Sequence, residues 1–199
     1  MWLLFLAVGT ASAQTIRFDF RLPASRPAEY HLTLTPSGDA TFDEPAMDSQ
    51  DAFHSEFRVD AARAAEVFAS AKSLNYFEGA FAYKKHKIAD TGEKRLSYEQ
   101  DGKTTSATFN YSENQAIRRI ADWFQAVATT QEFARKARFD RRFDKLSLDV
   151  DVKDFAENAK AGRATEVQSI RPLLEEFVAD PTILKTVRER IRGLLASHA

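Results

Sequence analysis

Cysteine is absent from this chain of 199 residues, so composition alone excludes disulfides, thiolate nucleophiles and cysteine-ligated zinc. With only 7 glycines, the chain has little material for a loop that cradles phosphates. Neither the P-loop nor the dinucleotide glycine pattern occurs. The G-x-S-x-G elbow of common serine hydrolases is missing, as is the H-E-x-x-H zinc segment. The four histidines, His31, His54, His86 and His198, share no ligand spacing. Charge of one sign is lacking too, since 28 Lys and Arg face 29 Asp and Glu for a net charge of −1. A dedicated nucleic-acid binder is ordinarily basic over its contact face, so this balance argues against that class. No motif implies a cofactor.

Long apolar runs are also wanting. The leading one, Trp2 to Val8, is far shorter than the ~20 residues that cross a bilayer. It is followed by Ala11-Ser12-Ala13, the small-x-small pattern read by signal peptidase. Residues 1–13 therefore read as an export signal cut before Gln14. The departure from pattern is that no Lys or Arg precedes the run, a charge that a start further upstream would supply. The competing reading is a buried N-terminal strand or helix. Export places the working protein in the periplasm or outside the cell, and a cysteine-free exported chain suits a bacterial envelope.

What the chain does have is aromatic bulk and clear periodicity. Phe occurs 16 times, and 44% of residues are hydrophobic, enough for a sizeable core. Ile16, Phe18, Phe20 and Leu22 alternate with Arg17, Asp19 and Arg21, the period of a strand with one wet face. Tyr30, Leu32 and Leu34 repeat the alternation, and Pro36-Ser37-Gly38 turns the chain toward Ala40–Phe42. Residues 43–50 read as a solvated loop, and Phe53–Val59 as another strand. Asp60 is placed to cap a helix over 61–74. Residues 79–92 form an irregular basic loop. Strands at 94–98 and 104–111 are joined across Asp101-Gly102, the dipeptide suited to a tight hairpin.

From Glu113 onward helical spacing takes over. Ile117, Ile120, Ala121, Phe124 and Val127 form one stripe, with further helices expected over 132–143, 152–159, 164–179 and 181–196. Pro172 marks a start or kink near Arg171, while Asp180 and Pro181 suit a helix entry. The expectation is an α+β fold: an antiparallel sheet of two hairpin units with a packed helix, followed by a helical C-terminal region. Residues 14–130 would be the α+β part and 131–199 a helical extension packed on it.

Several groupings carry possible chemistry. The loop Tyr83–Asp90 concentrates donors where scaffolds often place binding groups. Lys84, Lys85 and Lys87 could hold an anion, His86 could relay a proton near its ordinary pKa of about 6.5, and Asp90 could orient that ring. The simpler reading is a solvated loop. The run Phe133–Lys145 interleaves rings with cations, so Arg138, Arg141 and Arg142 could touch an anionic membrane surface. Acids at 140 and 144 interrupt that field, and the plainer expectation packs Phe139 and Phe143 inward under arginine stems. Two acidic groups invite calcium: Asp43, Glu44, Asp48 and Asp51, and then Asp149, Asp151 and Asp154. The second opens like an EF-hand loop but carries Lys153 and Asp154 where an oxygen ligand and the turn glycine belong, so no metal site is expected.

The reading is an exported binding or interaction module, non-enzymatic, whose basic loop takes a protein or a small anionic ligand. A hydrolase using carboxylates or His86 is the first alternative, and a peripheral membrane-surface protein the second.

Overall fold

Alternation of apolar and polar residues, clearest in the first two, marks six strands. They are β1 (Gln14–Arg21), β2 (Glu29–Leu34), β3 (Asp39–Glu44), β4 (Phe53–Arg58), β5 (Glu93–Gln100) and β6 (Lys103–Phe109). The computed structural model describes residues 14–46 and 51–198; the expected export segment and Asp48 lie outside them. All neighbours pair antiparallel in the order β4-β3-β2-β1-β5-β6. The first four strands form a meander, and the β5–β6 hairpin adds to the free side of β1. Asp101 and Gly102 both take positive φ, 52° and 73°, as a two-residue turn between twisted strands requires.

The period of two puts Ile16, Phe18, Leu32, Phe42 and Leu96 on one buried face. Helix α1 (Ala61–Ser73) and the first half of α2 (Gln115–Phe143) cover that face. Asp60 Oδ1 accepts from the amides of Ala62 and Arg63 at 2.9 and 3.3 Å, the cap expected from sequence. Asn114 does the same for α2. Phe18 stacks on Phe124 with centroids 5.3 Å apart; each such buried ring contributes about 2–3 kcal/mol. The opposite face of the sheet is polar.

The rest of the chain is helical: α3 (Lys145–Lys160), α4 (Arg171–Ala179) and α5 (Lys185–Ser197). A second apolar cluster joins them to the later turns of α2, with Phe133 stacked on Phe155 at 4.0 Å. The first cluster ends on α2 at Ala128 and the second begins at Phe133. The architecture is therefore α+β, as expected.

The structure corrects several details. Helix α2 is one unbroken element, because no Pro or Gly interrupts it; Thr129 Oγ1 donates back to the carbonyl of Gln125 at 3.0 Å, which a helix interior tolerates. Helix α3 starts well before residue 152, capped by Asp144, whose Oδ1 accepts from Ser147 N at 3.1 Å. Asp180 and Pro181 do not open α5. Asp180 Oδ1 closes a turn onto Thr182 N and Oγ1 at 2.9 and 2.7 Å, and α5 begins only at Lys185. Asp43 and Glu44 belong to β3 rather than to a loop. Phe139 and Phe143 do not pack inward. Phe133, Ala137 and Asp140 occupy the buried side of α2, and that spacing turns residues 139 and 143 to solvent.

Candidate binding site

The basic loop between α1 and β5 is fastened at several points to the end of β6 and the entry of α2. Tyr83 N donates to Tyr111 O at 2.9 Å. The Asn110 side chain accepts from Thr91 N and Thr91 Oγ1 at 2.8 and 2.7 Å, and donates to Ala89 O at 2.8 Å. Gly92, with φ +93°, brings the chain against Phe20; a Cβ there would lie 2.5 Å from the ring. Only glycine permits both that φ and that approach.

Lys94 completes the clip. It stands on the inward face of β5, 8% exposed, where strand alternation calls for an apolar side chain. Its Nζ donates to the carbonyls of Thr91, Gly92 and Asn110 at 3.1, 3.0 and 3.1 Å and lies 5.7 Å from the Phe20 centroid. Burial pushes its pKa below the ordinary lysine value, opposed by the charges of Asp122 and Asp90.

Onto this frame the structure places the five residues expected from sequence. Lys84, His86 and Lys87 are exposed, and the two lysines make no ion pair among the described residues. Lys85 is also exposed but pairs with Glu113 at 2.8 Å, a hydrogen bond that raises its pKa. The His86 ring lies 6.4 Å from Tyr83. Asp90 does not orient that imidazole, since its Oδ1 accepts from Gly92 N at 2.9 Å. Lysines 84, 85 and 87 thus share one short exposed loop.

Two hollows flank the Thr91–Asn110 clip. One, of about 560 Å³, takes Asp90, Arg21, Glu93 and Asn110 into its wall. The other, of about 320 Å³, is lined by Thr91, Lys94, Tyr111, Ser112, Arg118 and Asp122, among others. Arg118 lies 5.3 Å over the Tyr111 ring and donates through Nη1 to Tyr111 Oη at 3.2 Å. Its buried Nε has no hydrogen-bond partner among the described residues. Sequence reasoning missed Lys94, Asn110 and Arg118. The one signal available was a lysine in register with Leu96 and Tyr98 at an apolar position.

Elsewhere, Arg141 is committed within the helices: it pairs with Asp180 at 2.9 Å, pairs also with Glu176, and lies 5.5 Å over Phe177. Arg138 and Arg142 remain exposed. Of the acidic groups, Asp43 meets His54 at 2.6 Å and Glu44 meets Arg135 at 3.2 Å. Asp149 meets Arg190 at 2.6 Å, and Asp151 pairs with Lys136. Among the described residues no group of three or more acids and histidines is arranged to hold a metal ion. No protein-family model and no curated protein matches the chain.

Proposed function

We propose that the chain is a binding module, working outside the cytoplasm, that takes an anionic group on the Tyr83–Thr91 loop and the adjoining Lys94–Arg118 hollow. The observation that carries this reading is the fastening of the loop. Asn110, Lys94 and the Tyr83–Tyr111 bond anchor both of its ends, while Lys84 and Lys87 make no ion pair among the described residues. A pre-ordered loop has less conformational entropy to lose when it binds. Arg118, which lines the adjoining hollow with Lys94, supplies a second cation there for an anionic group. A hydrolytic role for His86 would need a second titratable group beside the ring, and Asp90 is engaged with Gly92 instead.

The test is calorimetric titration of the chain with a hexaglutamate peptide and, separately, with inorganic phosphate at low salt. Two surface cations contribute roughly 0.7 kcal/mol each, so Lys84→Ala with Lys87→Ala should weaken peptide binding about tenfold. Arg118→Met should remove phosphate binding while leaving the circular dichroism spectrum unchanged. If neither probe binds, or if binding survives all three substitutions, the reading is wrong. Export is checked by intact mass of the naturally produced protein, which should begin at Gln14.

A further inference from the structure

The corner between α2 and α3 is where the molecule exposes apolar surface most densely. Seven large apolar side chains stand exposed among the described residues, and four of them lie at this corner. They are Phe139 at 60%, Phe143 at 63%, Leu146 at 78% and Val150 at 56%. Scattered single exposures are ordinary, but a cluster marks a surface that meets something. The two rings lie one helical turn apart with centroids 4.8 Å apart. Leu146 and Val150 repeat that spacing on α3.

The charges at the corner divide into spent and unspent. Lys136 is engaged by Asp140 and Asp151, Arg141 by Glu176 and Asp180, and Lys145 Nζ donates to Thr182 Oγ1 at 2.9 Å. Asp144 is occupied in capping α3 through Ser147. Arg138 and Arg142 carry no ion pair among the described residues, and Arg142 lies 5.0 Å over the Phe143 ring. Phe139 and Phe143 therefore form an exposed ring pair with unpaired guanidinium groups beside it, and Leu146 and Val150 continue the apolar exposure onto α3.

We infer that this corner docks onto an anionic lipid surface, with Phe139, Phe143, Leu146 and Val150 entering the headgroup layer and Arg138 and Arg142 meeting lipid phosphates. Charge complementarity favours lipid over a second copy of the chain, because like corners would bring four unpaired guanidinium groups together. Rings at the acyl boundary with arginines at the phosphate level form the usual pattern of an interfacial contact. No described helix is long and apolar enough to cross a membrane; the contact lies on the surface. Nothing in it depends on the basic loop, so the two proposals stand or fall separately.

The experiment is flotation of the chain with phosphatidylcholine vesicles, with and without phosphatidylglycerol. The protein should float with the anionic vesicles at low salt, much less with neutral ones, and high salt should release it. Phe139→Ser with Phe143→Ser should cut the bound fraction about tenfold, and Arg138→Glu with Arg142→Glu should do likewise. Both rings are exposed, so circular dichroism and the melting midpoint should hold in both variants. Failure to float, or equal flotation on neutral vesicles, overturns the inference. So does concentration-dependent self-association that Phe139→Ser with Phe143→Ser abolishes, because the patch would then join two copies.

Discussion

Lys94 shows how much one side chain can organise. Its stem lies among apolar neighbours beside Phe20, and its ammonium gathers three carbonyls that would otherwise leave the loop end unsupported. Lys94→Met keeps the stem's volume and removes the donors. Hydrogen bonds from a charged group contribute about 1.5–3 kcal/mol, so a loss within that range is expected in urea unfolding. Amide exchange at Thr91 and Gly92 should accelerate by more than global destabilisation accounts for. An unchanged midpoint would show that the ammonium is dispensable. The basic loop itself was legible, because cations and glycines without periodicity mark irregular chain. Its fastening was not legible. Asn110 reaches Ala89 and Thr91 only because the β5–β6 hairpin returns it there, and no local pattern records a contact over that distance.

At the scale of elements, the strands were readable and their chemistry partly so. Alternation gave the wet face of each strand but not the register between them. Register aligns Asp19 with His31, His31 with Asp43, and Asp43 with His54 across four strands, so two imidazoles alternate with two carboxylates. Burial works to raise the Asp19 pKa, but hydrogen bonds from His31 and Arg17 outweigh it and hold the group below its ordinary value. The hydrogen bond to Asp43, 2.6 Å away, raises the pKa of His54. Because the folded value is the higher one, His54 contributes its full stability below its unfolded pKa of about 6.5, and the contribution fades as pH rises through the folded value. Asp43→Asn should bring the His54 titration, followed by NMR, down toward the unperturbed value. A titration that stays elevated would locate the cause elsewhere. The helices were read less well, for a related reason. Spacing shows that Phe139 and Phe143 share a face, but whether another element covers it depends on where α3 packs. Phe133, Ala137 and Asp140 take the buried side.

For the whole molecule, the notable feature is that two apolar clusters are threaded on one helix. Gln131 sits between them, buried in the span from Ala128 to Phe133. Its Nε2 donates to Ser169 Oγ at 2.9 Å, and its Oε1 accepts from Ser55 Oγ at 3.3 Å. One amide thus ties the sheet to the turn that precedes α4. Thr130 reinforces the seam by donating to Thr165 O at 2.6 Å, and Thr165 N donates to Ala126 O at 3.2 Å. If this seam couples the clusters, the parent chain should unfold in urea as one transition seen alike by tryptophan fluorescence and far-ultraviolet dichroism. Trp123 lies on α2 against the sheet cluster, and in a chain beginning at Gln14 it is the single tryptophan, so fluorescence of that chain follows the sheet part while dichroism weights the helices. Gln131→Leu preserves bulk but deprives both serines of their partner, at a cost of about 1–2 kcal/mol. The loss should fall on the coupling, and the two probes should then separate, with the helices melting first. Equal displacement of both curves, still superimposed, would mean that α2 alone carries the connection and that Gln131 only contributes to stability.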